Sequence, residues 1–243
     1  MLDEAFASIA QAKSNAERNL VNARELFETY LESLFINPHK GWEEKTLAEI
    51  IDSNVIGLVK NSREQGIDKE YKYVKMNNIT PNNNFDFSKY TCVDASKNEI
   101  EKYSLADGDF LFNTRNSKEL VGKTCIYTCV DDSPVLFNNN IMRIRFTKTI
   151  NSSFINYQFT TKLLQEKLNL MKSGTTNVSA IYYKNLQYLP LLIPPLAEQR
   201  AIVGRLEALS AETGRLEEIY QSKLEGLEEL KKSVLSKAFG GEL

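Results

Sequence analysis

Histidine and cysteine are scarce: this chain of 243 residues has one histidine and three cysteines. With His39 alone, a histidine-based catalytic triad and a two-histidine metal site are excluded within one chain. Cys92, Cys125 and Cys129 are odd in number and lie in apolar, strand-like context. That argues against a disulfide framework or a cysteine-rich zinc site. No apolar run approaches the length that crosses a bilayer. The first residues lead into a polar helical pattern with no signal-peptide core. A soluble, cytoplasmic protein is expected. A Gly-rich phosphate loop, a dinucleotide fingerprint, a Gly-x-Ser-x-Gly elbow and metal-ligand spacings are all missing. No catalytic residue, metal site or cofactor is therefore expected in this chain. Asp107 and Asp109 flank Gly108 and are assigned to turn chemistry rather than to acid–base work.

What is present is a foldable chain with an uneven layout. Apolar residues make up 42% and charged residues 26%, so wholesale disorder is not expected. Net charge is -2, which alone speaks against a nucleic-acid partner. The distribution tempers this. Residues 1–41 and 198–243 are mildly acidic, whereas residues 42–197 carry 19 basic and 17 acidic groups. A DNA reader needs a local basic face rather than a basic chain.

Two long amphipathic helices are predicted at the ends. Over residues 2–35, Phe6, Lys13, Leu20, Phe27 and Leu34 recur every seven positions, as do Ile9, Ala16, Ala23 and Tyr30. This alternation is a coiled-coil pattern broken only by Lys13. Asn37-Pro38-His39-Lys40-Gly41 stops it. Residues 197–239 form the second helix, about 65 Å long. Its expected seam runs Leu206, Leu209, Thr213, Leu216, Tyr220, Lys223, Leu227, Leu230 and Val234. Gly204, Gly214 and Gly226 each disfavour it by roughly 1 kcal/mol relative to alanine, so it needs a partner, and the first helix is the obvious one. Between them, residues 42–196 read as a mixed globule. Strand-like runs at 71–76, 109–112, 123–130, 141–146 and 186–193 alternate with turn signals. One helix is expected at 152–171, capped by Asn151 or Ser152 and ended by Ser173-Gly174. The fold class is α+β: one mixed α/β domain flanked by two long amphipathic helices forming a coiled-coil spacer.

The middle region is rich in polar readers. It holds 18 of the 22 asparagines and nine of the 11 tyrosines. Asn, Gln, Arg and Lys read base edges, and Ser, Thr and Tyr add phosphate contacts. Three clusters stand out: Asn113-Thr114-Arg115-Asn116-Ser117-Lys118, Lys172-Ser173-Gly174-Thr175-Thr176-Asn177, and Phe137-Asn138-Asn139-Asn140 feeding the strand with Arg143 and Arg145. Each is equally readable as a solvated loop.

At these residues the chain resembles a known family. Leu189-Pro190-Leu191-Leu192-Ile193-Pro194-Pro195-Leu196-Ala197-Glu198-Gln199-Arg200 is similar to the start of the distal helical region in specificity (S) subunits of type I restriction–modification systems. The ending Leu227 to Leu243 resembles the close of that region, and residues 1–36 resemble the tail of the family's central helical region. Gly41-Trp42-Glu43-Glu44-Lys45-Thr46-Leu47 resembles the entry into a target recognition domain. Tyr73 to Ile79, Gly108 to Asn113 and Asn116-Ser117 with Leu120 to Lys123 are similar to its recurrent segments.

The resemblance implies three parts: residues 1–36, a recognition domain at 42–196, and a distal helix at 197–243, together like the C-terminal half of such a subunit. It further implies that the domain reads half of a bipartite double-stranded DNA site and that the helices set the spacing between halves. The subunit would dock methyltransferase (M) and restriction (R) subunits. Those partners would hold S-adenosylmethionine and ATP, so this chain would be non-catalytic. The expected DNA-binding residues are Lys75, Asn77, Arg115, Asn116, Ser117, Lys118, Lys123, Asn138, Asn139, Arg143, Ser173, Thr175, Thr176 and Asn177. A twofold homodimer is expected, restoring the two-domain layout, with Leu20, Phe27, Tyr30, Leu206, Leu209, Leu216, Tyr220, Leu227, Leu230 and Val234 in the coiled coil. The alternative is a coiled-coil scaffold or decoy that occupies methyltransferase subunits, which needs the helices but not the polar loops.

Overall fold

Apolar residues spaced at helical intervals, uninterrupted by proline, give a 35-residue helix, α1 (Leu2–Ile36). The computed structural model describes residues 2–129 and 131–240. Val130, which closes the expected strand at 123–130, lies outside the described residues, as do Met1 and residues 241–243 of the expected C-terminal region. After α1 come β1 (Glu43–Thr46), α2 (Leu47–Ile50), β2 (Ile51–Ile56), β3 (Gln65–Gly66), β4 (Tyr71–Val74) and β5 (Thr91–Val93). Then follow α3 (Lys97–Tyr103), β6 (Phe110–Asn113), β7 (Arg115–Asn116), β8 (Thr124–Ile126), β9 (Val135–Phe137) and β10 (Ile141–Phe146). The chain continues through α4 (Ser152–Thr160), α5 (Lys162–Met171), β11 (Ser173–Gly174), β12 (Ser179–Ala180), α6 (Tyr183–Leu186) and β13 (Pro190–Ile193) to α7 (Leu196–Phe239). The elements form two compact units, Pro38–Ile202 and the helical remainder. The fold is α+β, with a mixed unit between two long helices.

In the helical unit, α1 and α7 run antiparallel. Lys13 pairs with Glu228 and Arg24 Nε lies 2.9 Å from Glu217. Eleven residues forward along α1 are thus eleven residues back along α7. Glu228 explains how a lysine occupies the apolar seam at position 13. Ile9, Ala16, Ala23, Leu31 and Phe35 are buried on α1, and Leu206 and Thr213 on α7. A groove of about 440 Å³ runs between Phe6, Ile9, Ala10 and Lys13 on one side and Leu227, Glu228, Lys231 and Leu235 on the other.

The heptad count drifts off this interface. Leu230, expected in the seam, is 49% exposed, and Lys223 is exposed, whereas Leu224 and Leu235 are half-buried. On α1, Leu31 is buried where Tyr30 was expected and Tyr30 is only half-buried. The covered stripe follows the 3.6-residue period of a straight helix, from which a strict seven-residue count departs by about 20° per heptad. Leu20, Phe27, Leu209, Leu216, Tyr220, Leu227 and Val234 are half-buried.

The globular unit is built on two four-stranded sheets. One, ordered β2-β10-β6-β8, is antiparallel throughout; the other, β3-β5-β4-β9, includes the parallel pair β4–β9. Strand β6 reads Phe-Leu-Phe-Asn and is buried along its whole length, because both faces are covered. Phe110 and Phe112 meet Phe159 of α4 edge-on, at 5.3 and 6.1 Å between ring centroids. Leu111, pointing the other way, joins Val74, Ile79, Tyr127, Val135 and Phe137. Asp109, directly before β6, is buried. Its carboxylate accepts from Arg145 Nε at 2.6 Å, from Arg145 Nη2 at 3.0 Å and from the Ala106 amide at 2.8 Å. It braces the turn that enters β6.

Two expected elements are redrawn. The helix at 152–171 is split, because Thr161 leaves helical geometry (φ -65°, ψ 146°) and caps both halves. Its hydroxyl donates to Gln158 O at 2.8 Å. The strand at 186–193 keeps only its second half, since Leu186 closes the short α6. Asn151 caps α4 through the Phe154 amide, as expected. Within the globular unit, Gln199 in the first turn of α7 is wholly buried. Its amide nitrogen donates to Pro194 O (2.8 Å) and Thr149 O (3.1 Å), and its oxygen accepts from the Asn151 amide (2.7 Å).

Candidate nucleic-acid interface

Two of the three polar clusters form one surface, although they are far apart in the chain. Strand β7, carrying Arg115 and Asn116, pairs antiparallel with β12, and β12 pairs with β11. The small sheet so formed holds the segment Arg115–Lys118 against the hairpin 173–180. The Lys118 amide donates to Thr176 O at 2.9 Å, and Lys172 Nζ donates to Lys118 O at 2.7 Å. Arg115, Lys118, Ser173, Thr175, Thr176 and Asn177 are exposed, and Asn116 and Ser117 are half-buried. The Asn116 side-chain oxygen accepts from the Ser117 amide at 2.9 Å, which leaves its NH2 outside that bond.

Glycine is required in this hairpin. Gly174 has φ +118°, and a Cβ there would lie 2.4 Å from Val178 O. Neither the backbone angle nor the space admits a side chain. The turn beyond is closed by Thr175, whose amide donates to Val178 O at 2.9 Å and whose hydroxyl accepts from the Val178 amide at 3.2 Å.

The charges of this surface are uncompensated. Among the described residues, Arg115, Lys118 and Lys172 have no carboxylate partner, whereas Lys60, Lys69 and Lys72 elsewhere pair with Glu99, Asp94 and Asp131. Burial, and then the charge of Lys118, hold the Lys172 ammonium below its ordinary pKa. An anion arriving here would relieve that repulsion.

The remaining candidates divide. Asn77 and Asn139 are exposed. Their turns adjoin the same edge, since Asn140 O accepts from the Thr114 amide at 2.8 Å and Asn140 Nδ2 lies 3.3 Å from Met76 Sδ. Lys75 is half-buried and donates to Gln65 Oε1 at 2.6 Å. Three point inward. The Lys123 ammonium donates to the Ile79 carbonyl, and burial lowers its pKa. Asn138 is 7% exposed and Arg143 is 6% exposed; Arg143 donates to Ser104 O at 2.6 Å and lies over the Phe137 ring. These side chains brace the interior. Arg143 lies within the continuously buried run Ile141–Ile144 of β10, where alternation with Met142 and Ile144 would have turned it outward. Lys172, which opens the second polar cluster but was not among the expected contacts, and Val178, which no cluster included, both belong to this surface.

Among the described residues no group of His, Cys, Asp and Glu could hold a metal ion, and no helix is long and apolar enough to cross a membrane. Cys92, Cys125 and Cys129 are all free thiols.

Residues 39–225 match the family model described as the type I restriction modification DNA specificity domain. The type I restriction enzyme EcoKI specificity subunit of Escherichia coli K12 is 30% identical over 152 residues, covering 62% of this chain and 33% of that protein. The StySPI specificity subunit of Salmonella potsdam is 29% identical over 216 residues, covering 84% and 43%. The chain therefore spans a third to less than half of these curated relatives. In fold it is similar to a chain from a solved type I restriction–modification system, with a TM-score of 0.78 at 20% identity, covering all of this chain and 58% of that one. It is also similar to the HsdS subunit of Thermoanaerobacter tengcongensis, with a TM-score of 0.69 at 19% identity, covering all of this chain and 57% of the other. By the match over most of its length, the chain belongs to the family of type I restriction–modification DNA specificity domains.

Proposed function

We propose that this chain recognises a DNA sequence, reading one half of a bipartite site for a type I restriction–modification complex. The observation that carries this is the small sheet β11-β12-β7, which gathers exposed Arg115, Lys118, Ser173, Thr175, Thr176 and Asn177 beside cations lacking carboxylate partners. Cations neutralise phosphates, and polar side chains on a rigid platform discriminate base edges. The chain's role is non-catalytic and cytoplasmic. Methylation and cleavage belong to methyltransferase and restriction subunits, with S-adenosylmethionine and ATP bound there. Residues 42–196 serve recognition, and residues 1–36 and 197–243 serve spacing and docking.

The working form is a twofold homodimer. Leu26, Ile219 and Leu230 remain about half exposed on the helical unit, apolar surface that a second copy can cover. Two identical domains would then read an interrupted palindrome.

Selection from a randomised duplex pool, using the chain alone and with a type I methyltransferase subunit, tests this. A single enriched consensus with two inverted half-sites is expected from the complex. Its loss is expected when Arg115, Lys118 and Lys172 are replaced together by alanine. No enrichment by the complex, or an unchanged consensus in the triple variant, overturns the reading.

A further inference from the structure

The tip of the β11–β12 hairpin carries an apolar side chain where solvation alone would favour a polar one. Val178 is 59% exposed, follows exposed Thr176 and Asn177, and precedes buried Ser179. It is held rigidly. Thr175 bonds both its amide and its carbonyl, and the Val178 carbonyl lies against Gly174 at a distance that no Cβ tolerates. A β-branched side chain on so fixed a backbone has little freedom to fold back and hide its methyl groups. Lys118 lies beside this tip, its amide bonded to Thr176 O, and Lys172 Nζ reaches the Lys118 carbonyl.

We infer that this tip enters the major groove of DNA and reads a thymine·adenine pair, Val178 contacting the thymine C5-methyl and Asn177 the adenine edge. The inference rests on the DNA reading above and narrows it to a base pair. A two-stranded ribbon fits the major groove, which is about 12 Å wide, and the β11–β12 hairpin is such a ribbon, with the segment Arg115–Lys118 along its β12 edge. That groove alone displays the thymine methyl, the one apolar group a base pair offers there. The natural partner of an asparagine amide is adenine, through N6 and N7. The cations beside the tip would meet the phosphates flanking the groove, and the exposed valine would lose its contact with water against the methyl group.

The test uses the site selected by the wild-type chain with a methyltransferase subunit. Each thymine of the half-site is replaced in turn by deoxyuridine, which removes only the methyl group, and each adenine by 7-deazaadenine, which removes N7. At one position deoxyuridine should weaken wild-type binding about fourfold, the effect of one buried methyl group. V178A should bind more weakly yet lose that sensitivity, and N177A should lose sensitivity to 7-deazaadenine. 5-Methylcytosine paired with guanine at that position restores the methyl without the adenine and should not rescue binding. Unchanged thermal melts of both variants exclude misfolding. If a consensus is selected but deoxyuridine has no effect at any position, or V178A keeps the penalty, the inference falls while the DNA reading stands. If no consensus is selected, both fall.

Discussion

The backbone amide of Lys118 donates to the carbonyl of Thr176 at 2.9 Å, tying together two loops that are separated in sequence by β8 to β11. Strand pairing of β7 with β12 aligns Arg115 with Ala180 and Asn116 with Ser179, so neither loop can move without the other. Substitutions on this surface should therefore separate cleanly into those that touch DNA and those that touch the platform.

Arg115→Ala tests the first kind. Arg115 is exposed and forms no ion pair among the described residues. Its loss should leave the thermal melt unchanged and weaken specific binding by about 1–3 kcal/mol if it grips a base. If it grips a phosphate, binding should weaken evenly across sequences and the salt slope fall by about one. Fluorescence anisotropy at several salt concentrations distinguishes the two.

Lys123→Ala is expected to behave in the opposite way. Its ammonium holds the Ile79 carbonyl from a half-buried position. Removal should lower stability by about 1–3 kcal/mol, with DNA affinity falling only as far as the folded fraction does. Chemical denaturation beside a binding titration shows whether this is so.

Asp109→Ala should be the most damaging single change in the globular unit. It strips a buried, bidentate partner from Arg145 and leaves Arg143 beside it without a counter-charge. Breaking a buried pair on one side costs about 3–5 kcal/mol; the partial exposure of Arg145 argues for the lower end. Urea denaturation measures it.

Stability should fall at alkaline pH. Burial pushes the phenols of Tyr73 and Tyr127 up to about 12. In the unfolded chain they ionise near 10, so the contribution of the neutral phenols is complete below pH 10 and is lost between 10 and 12. Absorbance at 295 nm should show a late-ionising tyrosine component that shrinks in Y73F and in Y127F, with loss of circular dichroism in the same range.

The glycines of α7 give a test of the helical unit. A Cβ at Gly204, Gly214 or Gly226 meets nothing within 4 Å in the single chain. Gly214→Ala and Gly226→Ala should each stabilise by about 1 kcal/mol. Sedimentation shows whether the homodimer survives: with Leu216 and Leu227 replaced by Asp, mass should shift from dimer toward monomer. A wild-type mass near 28 kDa at micromolar concentration would sink the dimer.

The long helices were legible because their signals are local: stops at Asn37-Pro38 and Pro194-Pro195, and apolar spacing over many turns. Strand β10 was legible for the same reason. Strands β2 and β5 were not, since Ile-Asp-Ser-Asn-Val-Ile and Thr-Cys-Val lack a clear alternation and owe their state to neighbours in the sheet. At the candidate interface, residue type marked Arg115 and Asn177 correctly as exposed. It could not separate Lys118 from Lys123, because only the fold turns one outward and sets the other beneath the Ile79 carbonyl.

The hairpin pinned by Gly174 has an evolutionary side. Gly174 and the bonds of Thr175 hold its shape, while the side chains of Thr176, Asn177 and Val178 are exposed. Mutations at these three positions carry almost no penalty in foldability. On the proposed DNA reading, a lineage can drift through new tip sequences, and so through new base preferences, on an unchanged scaffold.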